Sequence, residues 1–492
     1  MTRHVGLIVV LLSSFALSCA QARPQALPDE VRGSTPRYGG TVNLMVTEDP
    51  DDWDITYAGS SQPNNFGIGQ AYSGLLGVKA GPEIGFNDLI LQPELAERWQ
   101  VSPDARTFTF FLRKGVKYAD RPPVSGREFI AADVKWSFEY SSRTGPFRDS
   151  KLPPAQFGYF FAGMEGIETP DANTVVVRMK DPVAPFLNYV ASDSTPILPH
   201  EIFDKEGNFK ESIAGTGPYQ IDPSASQKGT RWVWQKNPTY WEPGKPYLDT
   251  IRWLVLPETA TIYAAFQTKQ IDYIGGGKSY APLWNGAQQI MSANPDAIVI
   301  EALRPGPLQF YVNSRKAPLN DLRVRKAIAL SLDRDELIRV VAGKGEWAMA
   351  GAPAGLFTNQ EIRQMLRHDP GEAKRLLAEA GFPDGLDLEF MIGQASDDVT
   401  TGELFEAQLR KAGIRLALKP TDGSTSSRNR RAGNFTLNFT AGATLVGDPA
   451  NWMYAGYHPE SSQNYQGVND PKLRGLDMRG HAAPSEWCTA TS

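Results

Sequence analysis

The sequence predicts an α/β protein of two lobes. Single hydrophobic cores stop growing at about 250–300 residues, and this chain has 492. Strand-like and helix-like segments alternate from Arg37 onward, and in the second half two helix-then-strand units follow one another. Hydrophobic residues make up 41% and charged residues 21%, a balance that supplies core material and gives no reason to expect disorder.

The N-terminus has the anatomy of a secretory signal: Arg3, an apolar run from Val5 to Leu12, then small residues. Two cleavage readings stand. Ala20-Gln21-Ala22 fits release after residue 22, whereas Ala16-Leu17-Ser18-Cys19 resembles a bacterial lipobox in which Cys19 is lipidated, although leucine is the usual residue where Ala16 stands. The Arg/Pro/Gln-rich stretch 23–36 reads as a flexible tether. No later stretch approaches the roughly 20 apolar residues of a membrane span. Cys19 and Cys488 are the only cysteines, so no disulfide scaffold is expected. Loss of residues 1–22 removes one positive charge, Arg3, and takes the net charge from −5 to −6. A mildly acidic protein outside the cytoplasm is a poor partner for nucleic acid.

The elements follow in order. GGTVNLMV and TFTFFLRKGVKY read as strands, the second alternating at Phe108, Phe110 and Leu112 before a turn at Gly115. AADVKWSFEYS brings Val134, Phe138 and Trp136 or Ser137 to one helical face. NTVVVRMKD, RWVWQKNPTYW and DTIRWLVLP are further strands, and TATIYAAFQTKQIDYI reads as a helix running into a short strand. In the second half, Val324, Ala327, Ile328 and Ser331 recur at helical spacing. Asp333 with Glu336 then forms a capping-box pattern for the next helix. DPGEAKRLLAEAGFP carries its own punctuation: Asp369 as cap, Pro370 in the first turn, Ala373, Leu376, Leu377 and Ala380 as the buried stripe, and Gly381 as terminator. LDLEFMI is a strand, and ELFEAQLRKAGIRLALKP repeats helix, Gly413, strand. TDGSTSSRNRRAG reads as a solvated loop. NFTLNFT reads as a strand with Phe435, Leu437 and Phe439 inward.

No arrangement announces catalysis. DYIGGGKS at 272–279 ends like a phosphate-binding loop but has Asp272 where that loop needs its first glycine, so it reads as a flexible connection between lobes. His4, His200, His368, His458 and His481 lack metal-site spacing and are expected at surfaces or caps. There is no Gly-x-Ser-x-Gly elbow. The acidic cluster EDPDDWDITY could hold a glycosidase-like carboxylate pair, but a solvated loop is the plainer account, with Trp53 and Tyr57 available to face a cleft. No catalytic residue, metal or cofactor is expected.

Several ordered blocks together resemble one family. LAERWQVSPDARTFTFFLRKGVKYAD with IAADVKWSFEY, then GTGPYQI, KNPTYW and LDTIRW, then LNDLRVRKAIALSLDRDELI, then DPGEAKRLLAEAGFPDG are similar to the bacterial extracellular solute-binding proteins of the peptide/nickel type, family 5, which serve ABC importers. The resemblance spans roughly Arg37 to Asp477. It implies a two-lobed, periplasmic-binding-protein-like fold of class II (cluster C) with a hinge and an enlarged first lobe. The first lobe is expected over 37–275 and the second over 276–477. It further implies binding without chemistry, a small-molecule solute enclosed between the lobes, permease subunits in the membrane as partners, a monomer, and a place in the periplasm or on the outer face of the cytoplasmic membrane.

Two departures from the family pattern bear on the solute. Peptide-binding relatives resemble Asp-x-x-Asp-Pro in one loop, with the first aspartate pairing the peptide's α-amino group; aligned on Asp448-Pro449, that position is Leu445. Nickel-binding relatives place histidine after the Asp-Pro, where this chain has Ala450. A buried ammonium without a counter-ion costs several kcal/mol, so a blocked or apolar peptide-like solute, or an oligosaccharide, is expected ahead of a free-amine peptide. Trp452 and Tyr454 are expected as stacking walls and Asn451 as a polar contact. Phe310, Tyr311 and Asn313 would border the cleft from the second lobe, and Trp53 and Tyr72 from the first. The stretch 478–492 departs from the family and reads as an aberrant tail. A secreted carbohydrate-active hydrolase and a signalling receptor without transport stand as alternatives.

Overall fold

The computed structural model describes residues 36–470, apart from 51, 57–67, 82–83, 85–88, 184, 275–283, 299–307, 344, 346, 348–356, 442–454, 460 and 462. The first body carries β1 (Thr41–Val46), β2 (Leu76–Val78), β3 (Leu91–Pro93), β4 (Ala96–Val101), β5 (Thr107–Leu112), β6 (Met164–Asp171), β7 (Thr174–Met179), β8 (Tyr219–Ile221), β9 (Arg231–Lys236) and β10 (Thr250–Val255). They form a sheet in the order β1-β10-β9-β8, a second in the order β4-β5-β7-β6 and the ribbon β2-β3. Only β1 and β10 run parallel here, Thr41 opposite Thr250. The other neighbours are antiparallel.

One core serves these sheets. Phe108, Phe110 and Leu112 alternate inward along β5, as the period of two requires. They meet Val134 and Phe138 from the Ala131–Ser142 helix in a cluster that also takes in Trp53, Tyr72 and Trp234. In that helix the fully buried Ser137 faces the core, and Trp136 packs at its margin. Its first turn is fixed by Asp133, which accepts from Ile130 N at 2.9 Å and forms a two-pronged pair with Arg127 at 2.7 and 2.9 Å. Glu201 completes the network on the same guanidinium.

The second body is a sheet in the order β11-β14-β12-β13, formed by β11 (Leu308–Val312), β12 (Leu386–Ile392), β13 (Ile414–Pro420) and β14 (Leu437–Ala441). β12 is parallel to both of its neighbours, while β11 and β14 are antiparallel. Helices Leu322–Ser331, Pro370–Glu379 and Ser396–Arg410 cover one face. Val324, Ala327, Ile328 and Ser331 are the buried residues of the first, and Asp369 caps the second by accepting from Glu372 N at 2.9 Å. Gly381 (φ 95°) and Gly413 (φ 88°) end their helices in a conformation that favours glycine.

Three expectations are corrected. TDGSTSSRNRRAG is not a loop: Gly423–Ala432 is a helix, capped by Asp422, which accepts from Thr425 N, and ended by Gly433 in the left-handed conformation. Its buried face is Ser424, Ser426 and Ser427, so it presents no apolar stripe to read. After the Thr259–Gln267 helix no strand forms at IDYI; Ile271 instead joins Met45, Ile262 and Ala265 in a small separate cluster. His458 is buried rather than at the surface.

Candidate functional site: a cationic face on the second body

Alternation along β11 sends its two aromatic residues to opposite faces of the sheet. Phe310 packs into the core, 5.0 Å from Phe390 and 5.2 Å from Phe405 between ring centroids. Tyr311 turns to the other face, where its register partner on β14 is Asn438. The serine-lined helix Gly423–Ala432 lies on this second face. Asn438 Nδ2 donates to Met391 O at 2.8 Å and to Ser426 Oγ at 3.4 Å, and Asn429 Nδ2 approaches Met391 Sδ at 3.9 Å.

That helix delivers Arg430 to Tyr311. The guanidinium carbon stands 5.9 Å from the Tyr311 ring centre and 5.7 Å from that of Tyr465, and the two rings meet edge-on at 6.0 Å. Nη1 donates to Asn438 Oδ1 at 3.0 Å, while Nε is buried with no hydrogen-bond partner. Among the described residues no carboxylate pairs with Arg430. Burial raises the Tyr311 phenol well above its ordinary range, and the neighbouring Arg430 charge opposes that rise. The result is a cation packed beside two edge-on aromatic rings, with its buried Nε–H unsatisfied.

The remaining sequence-predicted residues take the following places. Asn313 is buried and donates through Nδ2 to Gly433 O at 3.0 Å and Phe435 O at 2.9 Å, tying the end of β11 to the turn that leads into β14. Trp53 is buried in the first body, edge-on to Trp232 at 5.3 Å and to Trp234 at 5.8 Å. Tyr72 is buried there too, and burial raises its phenol pKa. Leu445, Asn451, Trp452 and Tyr454 lie outside the described residues, as do Cys19, Tyr57 and the stretch 478–492. Arg430 was missed because it sits in a segment whose composition resembles a loop. The signal that could have found it is the Asp422-to-Gly433 pair of helix punctuation marks.

The acidic stretch is not a solvated loop. Asp49 accepts from Gly229 N at 2.7 Å and from Trp232 Nε1 at 2.8 Å. Asp54 is buried and accepts from Thr56 N at 3.0 Å, Thr56 Oγ1 at 2.6 Å and Tyr140 Oη at 2.9 Å. Each carboxylate organises the first body's backbone. Glu48, in the same stretch, reaches the second body and accepts from Gly423 N at 3.0 Å. A second hydrogen bond between the bodies runs from Gln463 Nε2 to Gln156 O at 3.3 Å. An open cavity of about 570 Å³ lies elsewhere, lined only by second-body residues that include Ser314, Arg325 and Gln466–Asp470. The Arg325 guanidinium there is engaged by Leu319 O and Asn320 O. No group of three metal-ligating side chains occurs among the described residues, and no helix among them is long and apolar enough to cross a membrane.

Two α/β bodies joined around such contacts define the class of two-lobed solute-binding proteins, and comparison with solved structures gives the same fold. The chain superposes on the AgaA binding protein of A. tumefaciens R10 in complex with agropinic acid, with a TM-score of 0.77 over 91% of this chain and 87% of the other at 24% identity. It superposes likewise on the dipeptide-binding protein of Pseudoalteromonas sp. SM9913 in complex with Met-Leu, with a TM-score of 0.78, 21% identity, and 91% and 90% covered. The model of the bacterial extracellular solute-binding proteins, family 5, matches residues 91–464, and the chain belongs to that family. Among its relatives are the dipeptide-binding protein of Escherichia coli K12, 29% identical over 409 residues (78% of this chain, 73% of the relative), and heme-binding protein A of Haemophilus influenzae, 26% identical over 405 residues (78% and 71%). The family is one of binding proteins that hand a solute to an ABC permease.

Proposed function

We propose that this chain captures a peptide-like solute that carries a carboxylate and no free α-amino group, and delivers it to its permease. Arg430 carries the reading: a guanidinium packed against both Tyr311 and Tyr465, with a buried, unpartnered Nε, suits a carboxylate, which accepts two parallel hydrogen bonds from that fork. Leu445, where amine-binding relatives have aspartate, supports a solute without an ammonium group. Trp452 and Tyr454 are the proposed stacking walls, with Asn451 as a polar contact, and the protein acts as a monomer. Signal cleavage places it outside the cytoplasm, with Cys19 as the candidate lipid attachment. Of the carboxylates a hydrolase would use, near Asp51–Asp54, Asp54 is committed to hydrogen bonds within the first body, which favours the binding reading.

Native mass spectrometry of the protein purified from its own host, without refolding, tests the reading. The expected result is a co-purified acid that is lost from Arg430→Met, together with an N-terminal mass that reports lipid or none. A co-purified solute with no acidic group, or one retained by Arg430→Met, overturns it.

A further inference from the structure

We infer that Glu48 is a latch between the two lobes, with the helix Gly423–Ala432 as its catch. Glu48 follows β1 in the first lobe, and its Oε2 accepts from Gly423 N at 3.0 Å, in the first turn of a ten-residue helix of the second lobe. That N–H is one of the four a helix cannot satisfy internally, and the partial positive charge of the helix end favours a carboxylate there. Asp422 satisfies Thr425 N at 2.8 Å and leaves Gly423 N to Glu48.

Glycine at 423 fits this role by its size. Its backbone is not in the left-handed region, so conformation does not require glycine, yet a Cβ there would collide with the Glu48 carboxylate. A methyl group at 423 would push that carboxylate, the far end of a flexible side chain, away from the Gly423 N–H. The contact between Gln463 and Gln156 supports the same closure, since Gln156 N in turn donates to Thr56 O at 2.8 Å, in the segment that begins at Glu48. The catch helix also carries Arg430 two turns further on. One rigid element therefore bears both the closure contact and the cation proposed to hold the solute. Contacts present only in the closed arrangement set how far the lobes favour it, so the latch adds to closure whatever the solute is. Its link to affinity rests on the solute reading above, but its existence does not.

The test uses no solute, so its failure is distinct from failure of the solute reading. Dye pairs at Ile90→Cys and Met365→Cys, both exposed (46% and 47%) and one in each lobe, report lobe separation in the full chain with Cys19 and Cys488 replaced by serine. Single-molecule energy transfer should show the closed-to-open ratio falling roughly 3- to 20-fold in Glu48→Ala, the range expected for a charge-assisted bond at a helix end. Gly423→Ala should open the protein comparably, and should add nothing in the Glu48→Ala background, because the carboxylate it displaces is then gone. An unchanged distribution in Glu48→Ala, or equal opening by Gly423→Ala with and without the Glu48 carboxylate, overturns the latch. Gly423→Ala keeps the proposal testable if Glu48→Ala fails to fold.

Discussion

Gln408, buried on the Ser396–Arg410 helix, closes a cap that belongs to another helix: its Oε1 accepts from Asp333 N at 3.0 Å and its Nε2 donates to Asp333 O at 3.1 Å. Asp333 accepts from Glu336 N at 3.0 Å, as the sequence pattern requires. In the usual box the Glu336 carboxylate would take the Asp333 N–H. Here Gln408 takes it, and donates to Glu336 Oε2 at 2.9 Å. A local motif has become a joint between two helices.

Gln408→Leu should therefore destabilise the second lobe by about 1 kcal/mol, since it strands the part-buried Asp333 N–H, while Asp333 O keeps its bond from Leu337 N. Urea unfolding followed by tryptophan fluorescence measures this. A loss below about 0.5 kcal/mol would show that the cap re-forms from Glu336 alone.

Asn313→Ala should cost about 2 kcal/mol, because the buried Phe435 O and the part-buried Gly433 O lose their donor. Asn313→Asp should be no milder, as a carboxylate cannot donate to either carbonyl. Thermal unfolding of both variants decides between this structural role and a role confined to solute contact.

Burial pushes the Glu94 carboxyl up to about 8, against the opposing hydrogen bonds from Gly74 and Ser73, and the nearby Glu242 adds to the rise. The folded chain therefore holds this proton more tightly than the unfolded chain. The resulting stability is fully present below the ordinary carboxyl range, at about pH 4, and is lost as pH rises through 8. Melting temperature should fall across this window in the wild type and fall less in Glu94→Gln. Parallel pH profiles for the two would contradict the assignment.

Arg127→Met leaves Asp133 and Glu201 without their shared cation at the start of the Ala131–Ser142 helix. Breaking such a partly buried network by removing one partner costs about 3 kcal/mol. Calorimetry should show lost first-lobe stability, with the arginine-to-lysine variant restoring only part of it, since lysine cannot span both carboxylates with a planar fork.

Much of the fold was legible because its determinants are local. The spacing of Val324, Ala327, Ile328 and Ser331, the cap at Asp369 and the glycines 381 and 413 act within a few residues, and each appears where the pattern places it. Phe310 and Tyr311 were expected together at the cleft from the resemblance alone, and the structure puts them on opposite faces of β11. Sequence gives the alternation, while only the sheet's coverings decide which face is core. The helix Gly423–Ala432 was illegible because its buried face is serine, and shape and hydrogen bonds hold it where periodic apolarity usually would.

By itself, then, the sequence determined two α/β lobes, the extracytoplasmic reading and the family, through short-range periodicity and ordered blocks. Tertiary structure alone decided that Arg430 packs against Tyr311 and Tyr465, and that Glu48 meets Gly423 across 375 positions of chain. The physical reason is separation along the chain: a contact between distant residues leaves no period or spacing in sequence.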